Sequence, residues 1–139
     1  MLKTDVSIVS SVRGTNTDKK WRGIWDTGAS KSSIDKRVVS ELGLFPIGKE
    51  NISTANGIAT VNTYLVNLTL PNQVTVANVS VTGTDLGNDV DILIGMDIIQ
   101  LGDFSITNIN NTTTFSFRIP SVAEIDYVKE SLDAEKCSE

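Results

Sequence analysis

The stretch Ile24-Trp25-Asp26-Thr27-Gly28-Ala29-Ser30 places an acidic residue between two bulky apolar side chains and a glycine turn. Aspartate is depleted in β-strands and is rarely buried without a partner. The residues before it, Trp21–Trp25, are predicted to form a strand, so Asp26 falls where that strand ends. A carboxylate at such a position needs either a local hydrogen-bonding role or a chemical one.

The bulk composition is that of an acidic globular chain. It has 139 residues, of which 40% are hydrophobic and 21% charged, and a net charge of −5. The Lys and Arg residues form no basic stripe and no apolar segment is long, so we expect neither a nucleic-acid nor a membrane partner. The single cysteine, Cys137, excludes an intrachain disulfide, and the N-terminus does not resemble a signal peptide. Together these features favour a cytoplasmic protein.

Histidine is absent from the sequence. Its absence removes Ser–His and Cys–His nucleophile pairs and the commonest metal ligand. We therefore expect carboxylates to carry any acid–base chemistry near neutral pH. The acidic residues Asp85, Asp89 and Asp91 lack the spacing of an oxygen-ligand loop, so we expect no metal site.

Most of the remaining sequence alternates with a period of two, which predicts an all-β domain. Residues 58–70 alternate regularly, and the pattern then slips near Ala77-Asn78, which predicts a β-bulge. The run Ile92-Leu93-Ile94 is typical of a strand buried on both faces, and it ends at Gly95 with one or two helical turns after it.

Two further helices are predicted from capping signals. Ser32-Ser33 offer hydroxyls to begin a short helix that ends at Gly43. Ser121-Val122-Ala123-Glu124 matches a capping box that opens an amphipathic C-terminal helix. We therefore expect residues 1–119 to form the folded domain, and residues 120–139 to form an appended amphipathic helix with a frayed tail.

Two segments of the sequence share one form, an apolar strand followed by a glycine turn and a short helix. The first carries Asp26-Thr27-Gly28-Ala29 and the second carries Ile92-Leu93-Ile94-Gly95, and Ser53-Thr54-Ala55-Asn56-Gly57 lies between two alternating strands. Over roughly Val6–Ile119, this order and spacing resembles the retropepsin-like aspartic proteases. The resemblance implies a closed β-barrel or sandwich with a flap hairpin and two short helices, to which the C-terminal helix is added.

The resemblance also implies a role for each matching residue. Asp26 is the expected catalytic residue, and Gly28 leaves room for the backbone of a substrate. The residues expected to support the active-site loop are Thr27, Gly28 and Ala29. The residues expected to form the substrate-binding flap are Thr54, Ala55, Asn56 and Gly57. The residues expected to form a hydrophobic wall behind the site are Ile92, Leu93, Ile94 and Gly95.

One Asp-Thr-Gly per chain makes half a site, so the resemblance implies a homodimer in which each chain contributes one aspartate. Two adjacent carboxylates share one proton. The ionised carboxylate then activates a water, and the protonated one hydrogen-bonds to the oxyanion that forms. This chemistry hydrolyses a peptide or protein bound in an extended conformation and needs neither a cofactor nor a metal.

The chain departs from the retroviral pattern at two positions of this site. Ser30 and Met96 stand where many retroviral members carry an ion-paired Asp and Arg. We therefore expect the support of the active-site loop to be built differently here.

Other interpretations of the same residues stay open. The fold also suits a catalytically weak or inactive peptide-binding or dimerisation module. A glycosidase would need two opposed acids on one chain, and an aromatic content of 6% disfavours it. For Asp26 the alternative is a turn residue that caps local amides. For Asp97 we expect no more than a helix-start residue favoured by the dipole.

Overall fold

The computed structural model describes residues 2–12 and 19–137, with side chains through Glu135. Within these ranges strands dominate, which confirms the all-β prediction. The last two residues of the predicted frayed tail, 138 and 139, lie outside the described residues. The elements follow in the order β1 (Lys3–Ser10), β2 (Trp21–Trp25), β3 (Ser33–Asp35), α1 (Lys36–Leu42), β4 (Gly48–Thr54), β5 (Gly57–Thr69), β6 (Thr75–Thr84), β7 (Ile92–Ile94), α2 (Met96–Ile99), β8 (Asp103–Thr107), β9 (Thr114–Arg118) and α3 (Tyr127–Cys137).

Seven of the described strands form one sheet whose pairing returns to its first strand. The order is β1-β2-β7-β3-β6-β5-β4, and the second half of β1 also pairs with β5. Two of the pairs are parallel, β2 with β7 and β3 with β6. Because β2 and β7 run in the same direction, their carboxyl ends meet at one edge of the sheet. Asp26 and Gly95 are the residues that follow those ends.

The interior of this sheet is filled by aliphatic side chains from β1, β3, β5, β6 and β7. Branched residues suit this position because they pack well on a pleated surface. Those that are essentially fully buried are Val6, Ile8, Ile34, Val66, Leu68, Val81, Ile92 and Ile94.

The predicted bulge occurs in β6. Val79 lies opposite Val66, but Val76 lies opposite Leu68, so two residues of β6 oppose Asn67 alone. The second of them, Asn78, has φ of 57°, and its N–H donates to Oδ1 of Asn67 at 2.9 Å. The shift of apolar parity in the sequence therefore marks a real irregularity of the sheet.

The first helix begins later than its hydroxyl residues predict. Asp35 is the N-cap of α1, and its carboxylate accepts the N–H of Arg37. The prediction that Ser32-Ser33 cap this helix is wrong, because Ser33 pairs with both β6 and β7 in β3. Gly43 ends the helix with φ of 60°, as predicted.

The predicted capping box at residues 121–124 is also wrong, since α3 begins only at Tyr127. Asp103 competes for the same groups: its carboxylate accepts the Ser121 hydroxyl at 2.5 Å and the Val122 N–H at 2.9 Å. These hydrogen bonds hold the pKa of Asp103 far below its usual range, and the bond from Ser121 has the largest effect. Asp126 instead accepts the N–H of Lys129 at the start of α3.

No helix within the described ranges is long and apolar enough to cross a membrane.

The hairpin of β8 and β9 packs its aromatic face on the residue that precedes Asp26. The ring centroid of Trp25 lies 5.3 Å from that of Phe104 and 5.0 Å from that of Phe117. Phe115 approaches the same indole edge-on at 6.4 Å. Contacts of this kind contribute beyond their buried area, so the end of β2 is held firmly against the hairpin.

The buried carboxylate of Asp35, the last residue of β3, joins three segments. It accepts the N–H of Leu86 at 2.8 Å and the N–H of Arg37 at 2.9 Å, and it is paired with Nε of Arg37 at 2.9 Å. Burial by itself raises the pKa of Asp35, but these hydrogen bonds and the Arg37 charge outweigh it and lower the pKa below 3.8.

We expect Asp35→Asn to lower the free energy of unfolding by about 2–4 kcal/mol at neutral pH, since an amide NH₂ would then face a buried donor. Because the folded-state pKa lies below the unfolded one, this contribution is present above roughly pH 4 and is lost as pH falls further. Urea unfolding at pH 7 and pH 3 measures the difference from the unmodified chain. Asp5→Asn, at an exposed position, serves as control. If the loss of unfolding free energy in Asp35→Asn is as large at pH 3 as at pH 7, the ionised Asp35 carboxylate is not the stabilising group.

Candidate active site

Asp26 lies one residue beyond β2, half-buried at the edge where β2 and β7 end. Its N–H donates to the carbonyl of Ile94 at 2.8 Å, which extends the parallel pairing by one residue. Its Oδ1 accepts the N–H of Gly28 at 2.9 Å. Within the described part of the chain, Oδ2 accepts no hydrogen bond. The carboxylate is therefore oriented through one oxygen and available through the other.

The bond from Gly28 is the local capping that the turn-residue interpretation of Asp26 requires. It uses only one of the two carboxylate oxygens, and the main-chain bond from Ala29 N–H to the Asp26 carbonyl, at 3.3 Å, already closes the turn. Capping therefore accounts for the orientation of the carboxylate, but it gives no role to the second oxygen, Oδ2.

The three residues after Asp26 differ in their surroundings. A Cβ on Gly28 would lie 3.2 Å from Oδ1 of Asp26, so glycine permits the close approach of its amide to the carboxylate. Thr27 is exposed, and its hydroxyl has no partner among the described residues. Ala29 is half-buried, and its carbonyl accepts the N–H of Met96 at 2.7 Å.

The Gly95 turn touches the Asp26 loop backbone to backbone. A Cβ on Gly95 would lie 2.8 Å from both the Ala29 carbonyl oxygen and the Lys31 carbonyl carbon. Side chains essentially never approach that closely, so only glycine fits this position without moving one of the two loops.

Ser32 and Asp97 lock these two loops together. Ser32 is fully buried, and its Oγ accepts the N–H of Gly95 at 3.0 Å and donates to Oδ1 of Asp97 at 2.7 Å. The Ser32 N–H donates to Oδ2 of Asp97 at 3.0 Å. The expectation that Asp97 serves only as a helix-start residue is therefore incomplete. This network supplies the loop support that Ser30 and Met96 do not.

One sequence signal could have pointed to Asp97. It stands inside the otherwise apolar run from Ile92 to Ile99, next to a turn rather than on a polar face. A carboxylate in such a run requires hydrogen-bonding partners. The partner itself lies 65 residues away in the sequence, and no local pattern identifies it.

The predicted hydrophobic wall is buried on one face only. Ile92 and Ile94 are fully buried in the core. Leu93 points to the other face and is half-buried, so the prediction of burial on both faces is too strong for this residue.

The predicted flap residues form the tip of the β4–β5 hairpin. Thr54 lies opposite Gly57, and its Oγ1 donates to the Gly57 carbonyl at 2.8 Å. Gly57 has φ of 114°, which disfavours any side chain, and Ala55 and Asn56 make the exposed turn. A cavity of about 600 Å³ separates β4 of this hairpin, at residues 50–53, from the loop that follows Asp26.

A family model described as aspartyl protease matches residues 12–98, which is more than half of the chain. No curated protein matches the sequence.

Solved structures with a similar fold include viral and cellular domains. The protease of simian foamy virus (mac) is 18% identical with a TM-score of 0.50, over 70% of this chain and 91% of that one. The retroviral protease-like domain of Ddi1 from Leishmania major is 16% identical with a TM-score of 0.53, over 91% and 97%. A foamy viral protease–reverse transcriptase in complex with an RNA/DNA hybrid is 17% identical with a TM-score of 0.51 over 93% of this chain, which spans 14% of that protein. These likenesses show a retropepsin-like fold.

We expect Ser32→Ala to lower the free energy of unfolding by about 1–3 kcal/mol, because it leaves the buried Gly95 N–H without an acceptor. The neighbouring Ser33→Ala is a matched control. Among the described residues its hydroxyl bonds only to that of Thr82, at 3.0 Å, so its loss should cost less than about 1 kcal/mol. Chemical unfolding of both variants measures the two effects. Equal losses would mean that the Ser32 hydroxyl does not hold the two loops together.

Proposed function

The chain belongs to the aspartyl protease family, and from this premise we propose that it is an aspartic endopeptidase that acts as a homodimer. The observation that carries the proposal is the Asp26 carboxylate. It stands at the carboxyl end of β2, is oriented through Oδ1 by Gly28, and has Oδ2 without a partner among the described residues.

In the proposed reaction, Asp26 of each chain supplies one carboxyl group of a pair that shares a proton. The ionised carboxylate takes a proton from a water as the water oxygen bonds to the scissile carbonyl carbon. The protonated carboxyl hydrogen-bonds to the developing oxyanion. A proton then passes to the amide nitrogen as the carbon–nitrogen bond breaks, which leaves a carboxylic acid and an amine.

A second copy of the chain is required because each chain carries one Asp-Thr-Gly. The exposure of Thr27 supports this requirement, since its hydroxyl has no partner among the described residues and adjoins Asp26. Two-fold dimers are the commonest oligomers, and a two-fold axis beside Asp26 brings two identical loops together.

The proposed substrate is a peptide or protein segment in an extended conformation, held beneath the hairpin tip at Thr54–Gly57. The strand β4 lies at the end of the sheet order and pairs with β5 alone among the described strands. An unpaired strand edge supplies main-chain hydrogen bonds to an extended peptide, and alternate side chains then determine preference.

The remaining sequence assignments belong to the same proposal. The protease domain comprises residues 1–119, which include the matched range 12–98, and residues 120–139 are an appended segment. A cytoplasmic location is supported by the single cysteine.

We expect Asp26→Asn to lower the rate of peptide hydrolysis at least about 10³-fold, because the amide cannot take a proton from water. The Asn side chain retains an oxygen for the Gly28 N–H, so the thermal midpoint should stay the same or rise. Asp89→Asn removes one exposed carboxylate elsewhere and should keep full activity. Peptides that remain intact with the unmodified chain would instead favour a binding module, and a variant that fails to fold would favour the capping interpretation of Asp26.

We expect activity to depend on a partner's Asp26. Adding a tenfold excess of Asp26→Asn protein to the unmodified chain, with time for subunit exchange, should lower its activity by about tenfold, because most unmodified chains are then paired with an inactive partner. The Asp89→Asn protein, added in the same excess, should not lower the activity. Activity that is unaffected by the excess, or a solution mass of a monomer under active conditions, would contradict the proposed dimer.

A further inference from the structure

The segment after β9, residues 121–137, contains α3 and lies outside the folded sheet. We call it the C-terminal arm. Every side chain that the structure describes in it, from Ser121 to Glu135, is exposed. Two hydrogen bonds to the Asp103 carboxylate, from the Ser121 hydroxyl and the Val122 N–H, attach the arm to the start of β8. The arm is therefore fixed at its base and open to solvent along its length.

The C-terminal arm carries a large share of the apolar surface of the molecule. Twelve large apolar side chains are exposed among the described residues, and five of them belong to the arm: Val122, Ile125, Tyr127, Val128 and Leu132. Val128 is 72% exposed and Leu132 53% exposed. These two residues are four apart in α3, so they share one face of the helix. Exposed apolar residues that are clustered in this way mark sites of association rather than ordinary surface.

The length of α3 leads to the same conclusion. The helix has 11 residues, and isolated helices shorter than about 12–15 residues are marginal in water. Most of the stability of a helix in a protein comes from packing its apolar face. Because all the described side chains of α3 are exposed, its own domain does not supply that packing. A stable α3 therefore requires a surface from outside the chain.

The base of the C-terminal arm also stands away from its own hairpin. A cavity of about 530 Å³ lies between the arm, at Ala123 and Ile125, and the hairpin of β8 and β9. Ile125 lines this cavity and is nevertheless 60% exposed. The hairpin of the same chain therefore does not cover the apolar side chains of the arm.

We propose that the C-terminal arm packs on a second copy of the chain, so that Val128 and Leu132 are buried in the dimer. The inference rests on the proposed function, whose site is incomplete without a second copy, and it names a surface that holds that copy. The position of the arm favours this partner. Its base is bonded to Asp103 in the hairpin that packs on Trp25, the residue before Asp26. A second copy must stand beside Asp26 for the two carboxyl groups to meet, and the arm begins in that neighbourhood.

The charge of α3 disfavours a membrane as the partner of the arm. Residues 126–135 contain four acidic side chains and one basic side chain, that of Lys129. Helices that lie on membranes are instead rich in Lys and Arg on their polar face. A second copy imposes no such requirement, and two-fold symmetry lets each chain both give an arm and receive one.

Two matched double variants, each studied by analytical ultracentrifugation over a dilution series, test the inference. Val128→Gln with Leu132→Gln should raise the dissociation constant of the dimer at least about tenfold, because both chains lose two buried apolar side chains. Glu130→Gln with Ala134→Gln places the same side chains on the far face of α3, and should change the dissociation constant by less than about threefold. Equal dissociation constants for the two variants overturn the inference.

Peptide hydrolysis over the same dilution series separates the inference from the proposed function. The variant Val128→Gln with Leu132→Gln should lose activity at concentrations where the unmodified chain is still active, and regain it when concentrated. Hydrolysis that both double variants keep equally at every dilution overturns the role of the arm and leaves the protease function standing. If no protein cleaves peptides but the first variant still weakens the dimer, the arm stands and the protease function fails.

Chemical cross-linking of the unmodified chain identifies what α3 contacts, and it decides the matter if the first variant does not fold. In a mixture of isotope-labelled and unlabelled chains, an amine-reactive cross-linker should join Lys129 of one chain to a lysine of a chain with the other label. Cross-links confined to single chains would mean that the arm packs on its own domain, and overturn the inference. Cosedimentation with vesicles of phosphatidylglycerol and phosphatidylcholine that is lost in Val128→Gln with Leu132→Gln would assign the face to a membrane, and overturn it as well.

Discussion

The site depends on one close contact, that of the Gly95 backbone with the carbonyl groups of Ala29 and Lys31. A Cβ at Gly95 would stand 2.8 Å from that backbone, so the two loops meet with no side chain between them. The parallel pairing of β2 and β7 brings the loops to the same edge, and the Asp26 N–H to Ile94 carbonyl bond fixes their separation. Ser32 and Asp97 then close the other side of the contact. The direction of the Asp26 carboxylate follows from this arrangement, because Asp26 is held by main-chain bonds on both sides.

Residue patterns predicted those parts of the fold that depend on neighbours in sequence. The strands β5 and β7, the bulge at Ala77-Asn78 and the end of α1 at Gly43 follow from period-two alternation and glycine conformations, which act over a few residues. The two capping predictions failed for a shared reason. Ser32 and Ser121 have hydroxyls that suit a helix start, but each is engaged by an aspartate from another segment, Asp97 and Asp103. Local rules cannot weigh a partner that only the tertiary fold supplies.

The site, like the fold, was predictable from the sequence only where it depends on short motifs. Asp26, Gly28 and Gly95 belong to short motifs whose spacing carries information, and the structure brings all three together. Asp97 does not belong to such a motif, and its importance became visible only with the buried Ser32 beside it. The same limit applies to the Lys31–Glu50 ion pair, because both are ordinary charged residues in the sequence and become a pair only when the Asp26 loop and β4 face each other.

Successive residues of the short strand β3, and of the segment just before it, lie alternately in two environments. Ser32 and Ile34 point into the core, where they hold the loop and fill the interior, whereas Lys31 and Ser33 line the cavity between the Asp26 loop and β4. The two-residue period of an extended chain therefore separates the positions that hold the two loops together from those that face the cavity. Substitutions at Lys31 or Ser33 can therefore change the surface of the cavity without removing the Ser32–Asp97 hydrogen bonds beneath it. One short stretch of chain can thus vary in its exposed chemistry while its buried anchor stays constant.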